Sequence, residues 1–378
     1  MDFDLSEEQR LLRDSVDRLL ADHYAFDKRR AYLAEPDHWS RTLWTHYAEL
    51  GLLGLPFPEA YGGFGGGPVD VMLVMEAVGR VLALEPYLAT VVLAGATLRL
   101  AGSEAQKSAI LPQIADGSVV LAFAHGERQA RYDLSDVLTT ARRNSGGWVL
   151  DGAKSVVLHG DSAERLVVSA RTARERDDPH GITLFLVEAA ANGVARRSYP
   201  MRDGTRAAEI SLSGVEVGED AVIGEVDAGY PVIERVVEAG IAATAAEAVG
   251  AMEAMQALTL DYLKTRQQFG RPIGDNQVLQ HRATEMLMAL EQGRSMAMLA
   301  AMMVEEPDAA ERAHNIAMAK VGIGQASKFV SQNAVQLHGG IGMTEEYAVG
   351  HYFRRCMVIE HMFGDTTHHV SRLAEAVT

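Results

Sequence analysis

Cysteine is nearly missing from this 378-residue chain; Cys356 is the only one. An intramolecular disulfide is therefore impossible, and no set of thiolates is available for a metal cluster. Positive charge is also short. Lys and Arg total 35 against 51 Asp and Glu, a formal charge of −16. That balance argues against a nucleic acid or an anionic membrane as the main partner, although a local basic patch can still meet a phosphorylated cofactor. No apolar run reaches the length of a membrane span. The opening "MDFDLSEEQRLL" is acidic and lacks the basic-then-apolar order of a secretory leader, so a cytoplasmic protein is expected. No internal repeat or low-complexity tract is visible. What is present is an ordinary soluble balance, 48% hydrophobic and 23% charged. The length predicts two or three domains.

Three compositional stretches follow one another. Residues 1–118 are helical in pattern. Ser6 and Gln9 form a capping-box signature ahead of Leu11, Leu12 and Val16. Apolar residues recur at helical spacing through "VDVMLVMEAVGRVLALEPYLATVVLAGATLRLAG". The loop "PFPEAYGGFGGGP", Pro56 to Pro68, interrupts this region, and its glycines suit an ordered turn or a close approach to a ligand. Residues 119–225 change character. "VVLAFAH", "WVLDGAKSVVL", "RLVVSA", "GITLFLV" and "AAEISLSGVEV" are short, β-branched segments separated by turn residues such as Asn144–Gly147 and Asp178-Pro179. Without helices between them, an antiparallel barrel or sandwich is expected. Residues 226–378 return to apolar, Ala- and Met-rich helix, suited to a C-terminal four-helix bundle shared between subunits.

Three motifs sit on this mainly α layout with its middle β domain. They are "PEAYGGFGG" (Pro58 to Gly66), "TRQQFGRPIGDNQ" (Thr265 to Gln277) and "QLHGGIGMTEEY" (Gln336 to Tyr347). In that order around a β domain they resemble the acyl-CoA dehydrogenase family over nearly the whole chain. Within the family, the chain is most similar to the small subunit of the pimeloyl-CoA dehydrogenases. The resemblance implies FAD as cofactor, an acyl-CoA thioester as substrate and electron-transfer flavoprotein as electron acceptor. It implies α,β-desaturation: a base removes the α-proton while a hydride leaves the β-carbon for flavin N5. A weakly acidic α-proton needs donors on the thioester carbonyl and a base in a dry pocket.

By the same resemblance, Arg266 meets the FAD pyrophosphate as a fork-shaped donor, with Phe269 and Gln277 at the expected offsets. Gln336, Gly339 and Gly340 approach the FAD of a neighbouring subunit, and His338 between them is expected to be packed or solvated. The β domain departs from the family pattern. Where the family has an aromatic, two residues, then Thr-Glu-Pro-Gly-x-Gly-Ser-Asp, this chain reads "FAHGERQARYDLSD". Phe123 keeps the aromatic position, Gly126 replaces the Thr and Tyr132-Asp133 replaces Ser-Asp. The later Trp-x-Thr becomes Val156-Val157-Leu158. Backbone contacts at 123–126 need no particular side chain, and His125 and Tyr132 are candidates for substitute contacts.

The catalytic base is missing from both of its family positions, which hold Phe363 and Gly240 here. Glu247 lies seven residues after Gly240, about 700° and roughly 10 Å along one helix, and so faces nearly the same way. Its neighbours "ATAAEAVGAM" are small and apolar, so a lone carboxylate there would be a desolvated base. Asp365 is the second candidate, as a base or as a cap. Phe363 retains a backbone N–H at the point where the family holds the thioester carbonyl. His361, His368 and His369 are expected in solvated or interface roles rather than on a metal.

Two leading expectations follow. One is an FAD-dependent acyl-CoA dehydrogenase subunit in a homotetramer, or in a heterotetramer with a related chain. The other is a catalytically silent partner subunit. A flavin oxidase or monooxygenase on the same fold, needing no α-proton base, is a third.

Overall fold

A computed structural model describes residues 5–375. Six helices come first: α1 (Glu7–His23), α2 (Phe26–Tyr32), α3 (Arg41–Glu49), α4 (Pro68–Val81), α5 (Ala96–Ala101) and α6 (Glu104–Ala115). Eight strands follow: β1 (Leu121–Ala124), β2 (Thr140–Asn144), β3 (Gly147–Leu158), β4 (Arg165–Arg171), β5 (Ile182–Glu188), β6 (Val194–Pro200), β7 (Arg206–Val217) and β8 (Val222–Ile223). The last part holds α7 (Tyr230–Thr265), a small ribbon of β9 (Gln267–Gln268) and β10 (Arg271–Pro272), then α8 (Gln277–Met303), α9 (Ala309–His338), α10 (Ala348–His361) and α11 (Thr366–Glu375). No helix among the described residues is long and apolar enough to cross a membrane.

Contacts regroup these elements into two compact units. Among the described residues, a helical unit joins 5–34, Pro68–Ala83 and 241–375; a mixed unit takes Glu35–Gly67 and Leu84–Gly240. In the helical unit, α1 opens on the anticipated capping box, with Ser6 and Gln9 each bonding the other's backbone N–H. The small and flexible residues of α7 let it lie at the centre of the bundle. Ala248, Val249, Met252 and Met255 are buried together with Met286 and Leu290 of α8, Ile323 and Val330 of α9, and Tyr352 and Cys356 of α10. Helices α4 and α7 cross on glycine. A Cβ on Gly79 would meet the Glu247 carbonyl oxygen at 1.9 Å, and one on Gly250 would meet that of Glu76 at 1.9 Å. Beside this crossing Arg80 bonds Glu253 at 2.9 Å and Arg294 bonds Glu76 at 2.7 Å.

The mixed unit carries one sheet in the order β6-β7-β3-β2-β4-β5-β8, with β1 on β4. Its ladders are antiparallel as expected, apart from β1 beside β4 and one parallel pair, Thr140 with Arg171, linking β2 to β4. Strands β2 ("TARRN") and β6 ("VARRSYP") escape a hydrophobicity reading because they are charged and largely exposed, and β6 is a sheet edge. The Pro56–Pro68 loop is an ordered turn. A Cβ on Gly63 would strike the Phe57 carbonyl oxygen at 2.0 Å, so the glycine serves the loop's own packing. The long helical pattern after Pro68 is broken: Leu82 takes φ 56°, and Leu88–Gly95 winds as a π-helix.

Candidate active site

In the mixed unit, β1 delivers Phe123 and His125 on one face, their rings stacked 5.8 Å apart. Gly126 follows in the loop after β1. Its carbonyl accepts from the Ser155 N–H at 2.8 Å, which brings Val156 of β3 alongside. Val156 sits on a bulge with φ 53° and is 55% exposed. Leu158, two residues on, pairs with Ala207 of β7 and is half-buried. The structure therefore gathers Phe123, His125, Gly126 and Val156 at one place. Tyr132 lies beyond, half-buried in the turn before β2.

Beneath this surface is a buried polar cluster that sequence reasoning missed. Lys154 is 0% exposed. Its Nζ donates to Glu127 Oε1 at 2.6 Å, to Ser169 Oγ at 3.0 Å and to the His125 carbonyl at 3.2 Å. Glu127 also accepts the backbone N–H groups of Leu138 and Thr139. Burial pulls Lys154 down to about 8 against the attraction of Glu127. Burial would raise Glu127, but the Lys154 charge and its hydrogen bonds outweigh that and hold it at about 2. Burial and then the Lys154 charge press His125 down to about 3. A lysine inside "DGAKSVVL", in step with the inward residues of β3, was the available signal.

The helical unit corrects the reading of Glu247. It is not a lone carboxylate. Arg355 of α10 binds both of its oxygens, Nε to Oε1 at 2.6 Å and Nη2 to Oε2 at 2.7 Å, with the Glu247 side chain 2% exposed. The apolar neighbours of Glu247 in sequence are its helix neighbours. The Arg arrives from an element about a hundred residues away, so periodicity on α7 could not reveal it.

The turn after α10 is held by several bonds. Phe363 takes φ 59° and Gly364 φ 101°. His369, 1% exposed, faces the Phe363 carbonyl through Nε2 at 2.9 Å. A carbonyl only accepts, so that nitrogen carries the proton. Burial takes His369 down to about 4. The solvated or interface role expected for this histidine is thus corrected to a buried strut, while His361 is exposed. Lys320, 1% exposed, donates to the Ile359 carbonyl at 2.6 Å. Asp365 caps α11 through the His368 N–H at 2.9 Å. Among the described residues no acceptor meets the Phe363 N–H.

Arg266, Phe269 and Gln277 are all exposed. The Arg266 guanidinium has no ion-pair partner among the described residues. Phe269 and Gly270, with φ 54° and 79°, form the two-residue tip of the β9–β10 ribbon, and Phe269 is 98% exposed. It is not core. Gln336, Gly339 and Gly340 lie at the open end of α9, and a Cβ on either glycine would meet nothing within 4 Å. Gly340 keeps an ordinary φ, so the fold itself does not require glycine there. His338 is packed, stacked on Tyr262 at 4.6 Å with Nδ1 on the Ala334 carbonyl at 2.8 Å.

Fold and motifs together define a helical–β–helical flavoenzyme class. The N-terminal, middle and C-terminal domains of acyl-CoA dehydrogenases match residues 6–118, 122–215 and 227–378. FadE12 of Mycobacterium tuberculosis, an acyl-CoA dehydrogenase, is 32% identical over 91% of this chain and 89% of its own. Butyryl-CoA dehydrogenase from Megasphaera elsdenii superposes with a TM-score of 0.90 at 27% identity, covering all of both chains. A variant of the Tcur3481–Tcur3483 steroid ACAD superposes at 0.88 with 29% identity over 98% of each chain. This chain belongs to the acyl-CoA dehydrogenase family, whose members are oxidoreductases acting on CH–CH bonds.

Proposed function

We propose that this chain is the FAD-holding subunit of a heteromeric acyl-CoA dehydrogenase, and that the α-proton base of the complete enzyme comes from a related partner chain. The observation that carries this reading is the Glu247–Arg355 pair. The carboxylate that the two-turn offset from Gly240 singles out is already bound through both oxygens, and by the resemblance the family's base positions hold Phe363 and Gly240. With both oxygens engaged by the guanidinium, the carboxylate has neither oxygen free to be aimed at a substrate proton.

The residues present fit an FAD. Arg266 offers a guanidinium with no partner of its own among the described residues, suited to a pyrophosphate. Gln277 and Phe269 lie at the offsets for an amide and an apolar contact to the same cofactor, while Gly339 and Gly340, beside Gln336, leave room against the backbone for the FAD of a neighbouring subunit. Phe123, His125, Gly126, Val156, Leu158 and Tyr132 supply the surface for the ring. The redox chemistry of the α,β-desaturation would come from the bound flavin. The chain's own part is to hold and orient, and to present the Phe363 N–H to a thioester carbonyl. Likeness to the pimeloyl small subunit points to a dicarboxylyl thioester, and likeness to the steroid ACAD to a steroid thioester. Electron-transfer flavoprotein fits as acceptor.

The test is to purify the chain alone and with a related chain encoded beside it, then measure native mass, bound FAD and anaerobic bleaching by a panel of acyl-CoAs. Bleaching only in the mixed assembly is expected. Bleaching by the chain alone would overturn the shared site. A mixed assembly that bleaches while this chain's Arg266→Ala form loses no FAD would favour the silent-partner reading.

A further inference from the structure

The buried cluster under β1 settles which nitrogen of His125 carries a proton. Lys154 is a donor at every contact, so Ser169 Oγ accepts from it at 3.0 Å. Ser169 is 0% exposed, and its only other polar neighbour among the described residues is His125 Nδ1 at 2.9 Å. The hydroxyl proton must therefore point at Nδ1, because the alternative leaves a buried O–H with no acceptor. Nδ1 is then the bare nitrogen, and the neutral ring carries its proton on Nε2. No described group accepts from that Nε2, although the residue is only 8% exposed. Its ring is also fixed by the stack on Phe123.

We propose that Lys154 and Ser169 are positioning residues that lock His125 as an Nε2–H donor, and that this donor meets an acceptor atom on the edge of the flavin ring. The assignment of the ligand rests on the FAD reading above; the lock does not. The donor takes the place of the side-chain hydroxyls that this β domain lacks at Gly126 and Leu158. Glu127 completes the device by fixing the Lys154 ammonium at 2.6 Å.

The lock is read by magic-angle-spinning NMR of the 15N-histidine-labelled protein, with His125 assigned from a His125→Gln sample. A bare Nδ1 and a protonated Nε2 are expected in the wild type, and a second, Nδ1-protonated signal in Ser169→Ala. A wild-type ring protonated on Nδ1 would overturn the lock without any variant being made. The ligand is read by FAD titration of the assembled protein. His125→Leu is expected to weaken FAD by about 5- to 10-fold, the worth of one hydrogen bond, and to shift the flavin absorption band. His125→Gln, which keeps a donor near the same point, is expected to recover most of both. Equal affinity and spectrum in Leu and Gln forms would overturn the flavin contact alone. An assembly that binds no FAD at all would overturn the reading on which it rests.

Discussion

Glu247 and Arg355 form a buried bidentate pair, and a pair of that kind is more informative when broken than when intact. Removing one partner leaves the other charge buried and uncompensated, at a typical cost of about 3–5 kcal/mol. Glu247→Gln is expected to lower the unfolding free energy by that order, read from the denaturant midpoint and slope, and to leave the bleaching rate per bound flavin unchanged in the mixed assembly. Loss of bleaching at full flavin content would return the base to Glu247. The Lys154–Glu127 pair makes a pH prediction. The folded-state value of Glu127 is held at about 2, below the ordinary 4.5. Its contribution is therefore fully present above the ordinary value and is lost as pH falls from there toward 2. The shift corresponds to roughly 3 kcal/mol. A Tm profile from about pH 6 down to about 3, which covers the upper part of that window, is expected to be steeper for the wild type than for Glu127→Gln. Equal slopes would remove the linkage.

Among the elements, the crossing of α4 on α7 is the least tolerant of change. Each helix presents a glycine to a carbonyl oxygen of the other, and a methyl group at Gly79 or Gly250 has no flexible neighbour to displace. Gly79→Ala is expected to cost on the order of 3 kcal/mol or more, read as a fall in chemical-denaturation midpoint, because backbone must shift to admit it. An unchanged midpoint would show that the crossing can relax. The turn between α10 and α11 shows a different economy of parts. Lys320 bonds the Ile359 carbonyl at the end of α10, Asp365 accepts from the His368 N–H at the start of α11, and His369 bonds the Phe363 carbonyl between them. Phe363 at φ 59° carries a backbone cost, and the bond from His369 to its carbonyl helps hold that conformation, which suits an N–H held in position.

For the molecule as a whole, Phe269 and Met343 are exposed to 98% and 75%, and Val278 to 64%. Apolar groups presented this openly on ordered elements fit burial against further subunits, in line with the mixed assembly proposed above. Much of this was legible early. The capping box at Ser6, the five apolar strands and the Ala- and Met-rich helices follow from local pattern, and three motifs in order carried the family. Charged β2 and β6 were not legible, because they pair through backbone bonds that side-chain hydropathy does not report. Nor was the partner of Glu247.

By itself, then, the sequence determined the order of helical and β segments and the absence of disulfides. These are properties of single residues and near neighbours. Only the tertiary structure decided that Glu247 is paired, that His369 is a strut and that His125 has a fixed proton. Each of those depends on a hydrogen-bond partner far away in the chain, and a buried polar group takes its chemical state from its partners.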